Sequence, residues 1–430
     1  MANCHNGDFS TMSHLHDSFF EKYYSISPHP NHVPFRFHQG DRLLLIGDSI
    51  TETPRHAQML ETYLTVCAPE LEMQVRNIGK GGETAEGFLQ RIDTECLNYQ
   101  PTVATVCYGM NDAGYVNNNR AAADRFYAAT QIIVEKLRAA GTRMILASPG
   151  CIGNAPPWPF VSELAGTLDG LNTSLLHIRD YAAEIAQAEQ LPFVDHFWNL
   201  YQARFTTFEK YGADYAVCGK YDGVHPAWAG HVVMAYGYLK AFGLEGNLGR
   251  FIIDLATKTA TADSGHTFNS ELEATYSFTS SRYPFCANGL PDKDWSIRSG
   301  MTLAPFNRDF NRMMLQVTGL TAPRYRIAWM DHKSRYEEWH ICTAAELAAG
   351  VNLADDFHLN PFSIAFNRIA DLIYQKQAIE SNETWHTWEM EGKPAAEGLA
   401  ECESQRAELL KAIQRVFVPV THNIRIEAIE

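Results

Sequence analysis

Short hydrophobic runs alternate with longer segments of helical periodicity between residues 41 and about 245. The hydrophobic runs lie at 42–47, 72–78, 102–108, 143–148 and 192–195. The segments with helical spacing of apolar residues lie at 54–67, 84–98, 120–140, 161–190 and 227–243. Strands that are hydrophobic throughout are typical of a parallel sheet that is covered by helices on both faces. The pattern therefore predicts a three-layer α/β/α domain with a parallel sheet of about five strands.

The pattern changes after about residue 246. Short β-branched and aromatic segments, such as RMMLQVTGL and RYRIAWMD, are separated there by Gly, Pro, Asn and Asp, and they predict a small antiparallel β module. From residue 343 the sequence predicts helices, which begin at a capping box of Thr343 and Glu346. The sequence CANGLPDKDW at 286–295 indicates a surface loop. The predicted organisation is an N-terminal arm over 1–40, the α/β domain over 41–246, a β-rich module over 247–342 and a helical C-terminal segment over 343–430.

The composition of the chain argues against several classes of binding partner. The formal net charge of −15, with no Lys/Arg-rich run, argues against nucleic acid and anionic membranes as partners. No apolar stretch is long enough to span a bilayer, and the first residues lack the features of a secretory signal, so we expect a cytoplasmic protein. The nine cysteines form no C-x-x-C pair and favour reduced thiols. The histidine spacing matches no metal motif, so no metal is expected.

Polar or glycine-rich sequences follow the predicted strands at their carboxyl ends, where open parallel sheets bind ligands. They are Gly47-Asp48-Ser49 after the first strand, NIGKGGET at 77–84, YGMND at 108–112 and, before the last helix of the domain, YDGVHP at 221–226. A serine becomes a nucleophile when a histidine accepts its proton, and that histidine needs a carboxylate to orient it. Ser49, His225 and Asp222 are candidates for these three groups.

An acyl-transfer site also needs donors for the negative charge that develops on the carbonyl oxygen. Candidates are the backbone N–H of Gly82, the side-chain amide of Asn111 and the N–H of Ser49 at a helix start. Each assignment has an alternative. Ser49 could serve only as a helix cap and Asn111 as an ordinary turn residue. Two further glycines, at 79 and 81, compete with Gly82, and a second histidine, at 231, competes with His225, although we expect this histidine inside the following helix.

Together these sequences resemble the four blocks of the SGNH hydrolase superfamily, the GDSL-type esterases, in the order that the family has them. The resemblance covers about residues 41–245, and GDSIT is similar to the form found in bacterial carbohydrate esterases. It implies a flavodoxin-like strand order and no cofactor. It also implies that Ser49 is the nucleophile, His225 the general base and then acid, and Asp222 the orienting carboxylate. The implied oxyanion hole consists of the Ser49 N–H, the Gly82 N–H and the Asn111 side chain.

Other roles near these blocks follow from their positions. Asp48 and Asp112 are expected to hold loops through hydrogen bonds, and Asn77 to anchor the second block. An α/β-hydrolase would need G-x-S-x-G on a strand-to-helix turn, which is absent. A Rossmann fold would need G-x-G-x-x-G after the first strand, and GKGGET lacks the spacing of a phosphate-binding loop.

The expected activity is hydrolysis of small, acetyl-type esters on a carbohydrate or glycoside. Trp158 and Phe160, in CIGNAPPWPF at 151–160, are candidates for stacking on a sugar, the alternative being that this loop packs against the domain. Hydrolysis of lipid acyl esters or thioesters on the same fold is an alternative, and so is a binding protein without activity. For residues 247–430 three roles stay open, namely a carbohydrate-binding module, a surface for homo-oligomer formation and a wall of the active-site cleft.

Overall fold

A computed structural model describes residues 25–30, 33–153, 156, 166–219, 222–332, 338–381, 392 and 395–429 of the 430-residue chain. The first half contains a parallel sheet in the order β2-β1-β3-β4-β5. Its strands are β1 Arg42–Gly47, β2 Gln74–Asn77, β3 Val103–Cys107, β4 Arg143–Ala147 and β5 Phe193–Val194. This order is that of flavodoxin-like sheets and confirms the predicted α/β fold.

Helices cover both faces of this sheet. The helices of the first half are α1 Ser49–Glu52, α2 His56–Thr62, α3 Ala85–Phe88, α4 Arg120–Ala139, α5 Leu168–Ala188, α6 His196–Tyr211 and α7 Trp228–Ala241. Short π-helical segments, Tyr63–Cys67 and Ile92–Cys96, and 3₁₀ turns, Pro69–Leu71 and Leu97–Tyr99, break up two of the predicted helices. Leu43 and Leu45 of β1 belong to one core, with α2 and α7, and Leu44 and Ile46 to another, with α4 and α5. Both faces of the strand are therefore buried, as its continuous hydrophobic sequence predicts.

Helix α6 was not among the helices that the periodicity predicts. Its sequence, HFWNLYQARFTTFEKY, mixes aromatic and polar residues and has a weak apolar stripe. The signals at its ends are clearer than its periodicity. The Asp195 side chain accepts a hydrogen bond from Trp198 N, and the chain leaves the helix at Gly212, where φ is +83°.

Two further sheets form in the second half of the chain, with the orders β13-β10-β6-β7 and β12-β11-β14-β9-β8. Their strands are β6 Asn247–Asp254, β7 Thr259–Ala262, β8 His266–Leu272, β9 Thr275–Ser280, β10 Arg312–Thr318, β11 Arg324–Asp331, β12 Trp339–Thr343, β13 Val351–Asn352 and β14 Val420–Ile429. The helices are α8 Ile297–Gly300, α9 Phe306–Phe310, α10 Ala344–Ala349, α11 Leu353–Asp356, α12 Ser363–Glu380 and α13 Ala395–Val416. The predicted capping box is present at the start of α10, where Thr343 and Glu346 bond each other's backbone.

Two expectations about this half were wrong. The β structure is not purely antiparallel, because β6 and β10 pair in parallel. The long connection between them, which contains the hairpin β8–β9, permits this parallel pairing. The segment from 343 onward is not only helical, since its last strand, β14, lies between β11 and β9. The sequence VTHNIRIEAI alternates in burial with a period of two, which is the pattern of a strand.

The two halves share one hydrophobic core. Residues of β1, α2 and α7 pack in the same cluster as residues of β6, β10, β11 and α12. Hydrogen bonds also cross between the halves: Tyr63 Oη donates to Phe310 O at 2.7 Å, and Gln58 Nε2 donates to Ala370 O at 2.9 Å. The second half therefore packs directly on helix α2, which follows the Ser49 turn.

Two general observations concern the described part of the chain. No helix in it combines the length and the apolar character that crossing a membrane requires. The eight cysteines that lie in it are unpaired and buried.

Candidate active site

Ser49 stands at the turn between β1 and α1. A side chain at Gly47 would collide with Thr51 Oγ1 and lie 2.8 Å from Cys107 O, so the turn needs a residue without a Cβ. The Asp48 side chain accepts a hydrogen bond from Ile50 N at 3.0 Å and caps the helix. Asp48, and not Ser49, is therefore the N-cap, and the serine hydroxyl is left for another partner.

That partner is a histidine from the loop before α7. Ser49 Oγ lies 2.7 Å from His225 Nε2, and His225 Nδ1 lies 2.6 Å from Asp222 Oδ2. An ionised Asp222 can only accept, so the proton between them is on Nδ1 and Nε2 faces the serine as an acceptor. The structure thus brings the three predicted residues together in the order hydroxyl, imidazole, carboxylate.

Hydrogen bonds inside the loop and one from a neighbouring segment fix the loop that carries Asp222 and His225. Asp222 Oδ1 accepts hydrogen bonds from Val224 N at 2.8 Å and from His225 N at 2.9 Å. Gly223 has a φ of +79°, and its carbonyl accepts a hydrogen bond from Gly153 N at 2.7 Å. The carboxylate therefore orients the histidine through its backbone as well as its ring.

The electrostatics suit a histidine base. Burial raises the pKa of Asp222, but hydrogen bonds from the side chain and backbone of His225 outweigh it and lower that pKa to about 2. The hydrogen bond to Asp222 raises the pKa of His225, against the opposing effect of burial. Asp222 is therefore a carboxylate at neutral pH and stabilises the imidazolium that forms when His225 accepts a proton.

The predicted oxyanion donors lie on two neighbouring loops. Asn111 Nδ2 donates to Glu83 O at 3.0 Å, which holds the amide against the residue that follows Gly82. Gly82 itself has a φ of +71° and open space around its Cα, so its N–H lies in a turn that favours glycine. Tyr115 Oη donates to Asn111 Oδ1 at 3.2 Å and fixes which end of the amide is the oxygen. The loops therefore bring a backbone N–H and a side-chain amide close together.

A buried ion pair, which the sequence did not predict, holds the Gly82 loop. Both nitrogens of the Arg91 fork, Nε and Nη2, donate to the two carboxylate oxygens of Glu83, at 2.7 and 2.6 Å. Tyr108 Oη donates to the same carboxylate at 2.6 Å. Glu83 directly follows Gly82 in the second block. An acidic residue at this glycine-rich turn is the feature of the sequence that could have indicated the ion pair.

The remaining block residues hold backbone turns. Asn77 Nδ2 donates to Thr51 O at 2.7 Å, while its Oδ1 accepts from Gly79 N at 2.9 Å, so it links the second block to α1. Asp112 Oδ1 accepts from Ala85 N at 3.0 Å, at the start of α3. These contacts agree with the loop-holding roles expected for Asn77 and Asp112.

The structure also places the residues that compete with Gly82 and His225. A Cβ on Gly79 would lie 2.7 Å from Glu52 Cα, so this glycine permits the close approach of two backbones. A Cβ on Gly81 would lie 2.7 Å from Glu52 Oε2. His231 is buried within α7, with Nδ1 3.1 Å from His56 Nδ1, and burial lowers its pKa. It packs within the domain, as expected.

Two candidate residues cannot be placed, because Trp158 and Phe160 lie outside the described residues. Within the described residues, no group of three or more His, Cys, Asp or Glu side chains is arranged to hold a metal ion.

Comparisons with known proteins point to one family. Residues 45–233 match the sequence model of the GDSL-like Lipase/Acylhydrolase family. An acetylxylan esterase of Geobacillus stearothermophilus is 22% identical over an alignment of 227 residues, and the match covers 48% of this chain and 95% of that protein. The crystal structure of Axe2, an acetylxylan esterase from the same organism, aligns with a TM-score of 0.40 and 22% identity over 49% of this chain and 98% of that chain.

A longer likeness includes the second half of the chain. The structure of BT4096, a gut microbial diltiazem-metabolizing enzyme, aligns with a TM-score of 0.74 and 23% identity. The alignment covers 93% of this chain and 100% of that chain. The arrangement of an α/β domain with additional sheets and helices therefore occurs as a fold in another protein.

Proposed function

We propose that this chain removes acetyl groups from a carbohydrate, with Ser49 as the nucleophile. Residues 45–233 form a domain of the GDSL-like lipase/acylhydrolase family, and the chain is a carboxylic ester hydrolase. The observation that carries the proposal is the contact of Ser49 Oγ with His225 Nε2 at 2.7 Å, backed by Asp222 at 2.6 Å. A serine hydroxyl with such a partner is a competent nucleophile at neutral pH.

In the proposed reaction His225 first acts as a base. Ser49 Oγ attacks the carbonyl carbon of the acetyl ester while His225 Nε2 accepts its proton. The carbonyl oxygen becomes an oxyanion, which receives hydrogen bonds from the N–H groups of Ser49 and Gly82 and from Asn111 Nδ2. Asn111 Nδ2 carries two N–H groups, so one can donate to the oxyanion while the other stays bonded to Glu83 O.

His225 then acts as an acid. Its Nε2 proton passes to the alcohol oxygen of the sugar, the bond from that oxygen to the carbonyl carbon breaks, and the acetyl group stays as an ester on Ser49. A water molecule then gives a proton to the same nitrogen and attacks this ester. Nε2 passes this proton to Ser49 Oγ as the ester bond breaks, which restores the serine hydroxyl and releases acetic acid, which ionises to acetate. Asp222 stays ionised throughout and stabilises the imidazolium in both steps.

The choice of an acetylated carbohydrate as the substrate rests on the relative that is named an acetylxylan esterase, 95% of which is covered by its match to this chain. At 22% identity this match supports the class of substrate and not the individual sugar. Acyl lipids and thioesters need the same chemistry at the carbonyl carbon, so they differ only in what the surroundings of Ser49 accommodate.

The test compares a series of 4-nitrophenyl esters, from acetate to decanoate, with acetylated xylo-oligosaccharides. The full-length protein should hydrolyse the acetate ester and release acetate from the saccharide, with activity falling as the acyl chain lengthens. Ser49→Ala should abolish both reactions while Ser281→Ala, at an exposed serine of the C-terminal part, should leave them unchanged. Activity in Ser49→Ala would reject the nucleophile, and a preference for decanoate would reject acetyl esters as the substrate.

A further inference from the structure

A cavity of about 290 Å³ lies between the α/β domain and the C-terminal part of the chain. Helix α2 lines it with Gln58 and Thr62, and α7 contributes its first residue, Trp228. The opposite wall is formed by the surface loop 286–295, which ends in Trp295, and by Asp371 of α12. We call this space the interface cavity. Ligand clefts of roughly 300–1,000 Å³ hold drug-sized molecules, so the interface cavity suits a ligand of about one sugar unit.

The interface cavity begins close to the catalytic loop. Trp228 follows His225 by three residues, and three residues of extended chain span at most about 10 Å. Arg55 joins the two places, because its Nη1 donates to Pro226 O at 3.0 Å and its guanidinium carbon lies 5.6 Å from the centroid of the Trp228 ring. Trp228 is therefore the lining residue that the chain and Arg55 link to the loop of His225.

The aromatic part of the lining suits a sugar ring. Trp295 is 56% exposed, although a tryptophan is normally buried unless it serves an interface or a ligand. The axial C–H groups of a pyranose form an apolar face that packs on a flat indole, while the hydroxyls around the ring point to the sides. Trp228, which is half-buried, offers a second indole at the other end of the lining.

The polar part of the lining suits hydroxyl groups. Gln58 Oε1 and Thr62 Oγ1 are buried, and neither has a hydrogen-bond partner among the residues that the structure describes. These two atoms have almost no accessible surface, so a molecule in the interface cavity does not reach them, and the polar groups open to such a molecule lie at the rim. Asn288 and Asp371, which are exposed, add an amide and a carboxylate at the rim.

The charged residues of the lining indicate which polar ligands the interface cavity favours. The described residues that line the interface cavity include one carboxylate, that of Asp371, and no Lys, Arg or His. A phosphate or carboxylate ligand would be repelled there, whereas a neutral polyol accepts and donates hydrogen bonds without a charge partner. An exposed indole, an amide and a single carboxylate, with no cation among the lining residues, favour a neutral saccharide.

We infer that the interface cavity binds a pyranose unit of the carbohydrate whose acetyl group Ser49 attacks, with Trp295 stacked on the sugar ring. This inference rests on the proposed function, because it assigns the cavity to the same substrate. It gives the C-terminal part a direct role, since loop 286–295 and α12 form one wall of the site.

The test separates sugar binding from ester chemistry. Trp295→Ala, made in the full-length protein, should lower kcat/KM for acetylated xylotriose about tenfold, which is the usual effect of truncating a central aromatic contact. It should change kcat/KM for 4-nitrophenyl acetate less than about twofold, because that ester does not reach the cavity. Phe208→Ala is the matched control, since Phe208 is 54% exposed on α6 and lies outside the lining. Trp295→Phe should restore most of the activity on the saccharide.

Two results would overturn the inference. One is an equal loss on both substrates, which would make Trp295 a support of the fold. The other is unchanged hydrolysis of the saccharide in Trp295→Ala. If the protein hydrolyses the aryl ester and no acetylated saccharide, the proposed substrate class fails, and the cavity is tested by calorimetry with unmodified xylotriose. Binding that Trp295→Ala removes and Phe208→Ala keeps would uphold the sugar site, and absence of binding to the unsubstituted protein would reject it.

Discussion

Lys376 Nζ lies 2.8 Å from Glu380 Oε1, one turn along α12, and both side chains are fully buried. The same ammonium donates to Val75 O at 2.9 Å, and Glu380 Oε2 accepts from Asn77 N at 3.2 Å. Because β2 is the edge strand of the parallel sheet, these two backbone groups face away from β1. The side chains of α12 thus complete the hydrogen bonding of an edge strand that would otherwise be exposed, at the point where the second block begins.

We expect Lys376→Met to lower the free energy of unfolding by about 3–5 kcal/mol, the usual cost of leaving a buried charge without its partner. Glu61, whose Oε2 lies 3.1 Å from Lys376 Nζ, would lose this cation, and Glu380 would keep only Arg406, whose Nε lies 2.6 Å from its Oε1. Urea denaturation measures the change. Lys411→Met is the control, because its ion pair with Glu408 is on the surface and should contribute little. Equal unfolding midpoints for the two variants would contradict a stabilising role for the buried pair.

The residues proposed to react lie in short sequence blocks, and this is why they could be predicted. Asp222 and His225 share one loop, and Ser49 comes two residues after the glycine that ends a buried strand. Parallel strands place their carboxyl ends along one edge, so the alternation of strands and helices is enough to collect these loops at one site.

The residues that support the site are distant in sequence, and no local pattern pairs them. Asn77 and Glu380 are 303 positions apart, and the periodicity of α12 does not show which buried carboxylate meets which strand. Tyr115 was missed for a different reason. Its φ of +56° is unusual for a residue other than glycine, and only the folded loop shows that its hydroxyl reaches Asn111.

Substitutions of Asn111 and of Tyr115 should weaken the oxyanion hole to different extents. Asn111→Ala should lower kcat by about 10²- to 10³-fold with little change in KM, because its amide stabilises charge that exists only in the transition state. Tyr115→Phe removes the hydroxyl that orients this amide and should lower kcat less, by about two- to tenfold, since one neutral hydrogen bond is lost. Steady-state kinetics on 4-nitrophenyl acetate measures both.

The matched control for Tyr115→Phe is Tyr127→Phe, which removes an exposed hydroxyl that donates to Glu184. It should leave kcat unchanged. If Tyr115→Phe raises KM and leaves kcat unchanged, the hydroxyl contacts substrate in the ground state and does not position Asn111.

The pair Asp222 and His225 predicts how activity depends on pH. His225 must be neutral to accept the serine proton, so kcat/KM should fall on the acid side as the imidazole becomes protonated. The hydrogen bond from His225 to Asp222 raises the pKa of this histidine. Asp222→Asn removes the negative charge and should move the acid limb of the profile to lower pH, while the plateau falls on the order of 10⁴-fold.

A pH profile of kcat/KM on an aryl acetate tests this expectation. Asp214→Asn, which removes an exposed carboxylate beyond the end of α6, is the control for a general change in charge and should keep the original profile. An acid limb that stays in place in Asp222→Asn would show that another group controls the titration.

A chain of hydrogen bonds with defined donors crosses the C-terminal sheets. Trp329 Nε1, which can only donate, bonds to His422 Nδ1 at 3.0 Å, so His422 is neutral with its proton on Nε2. This proton points to Ser280 Oγ at 2.8 Å, and the serine hydroxyl then donates to His266 Nδ1 at 2.7 Å. His266 Nε2 completes the chain by donating to Leu248 O at 2.8 Å. The donors and acceptors of this chain match only while both histidines are neutral.

Acid should therefore destabilise this part of the protein. Burial lowers the pKa of His422 from 6.5 to about 3, so the unfolded chain binds a proton below pH 6.5 that the folded chain rejects. The stability that His422 contributes is complete above pH 6.5 and is lost as the pH falls towards 3. His422→Gln cannot titrate there, so its free energy of unfolding should be lower at pH 7 but fall less than that of the unsubstituted protein between pH 7 and 5. Other buried groups titrate in both proteins and cancel in the comparison, which urea denaturation at the two pH values provides. Parallel losses in the two proteins would mean that His422 already carries a proton in the folded state.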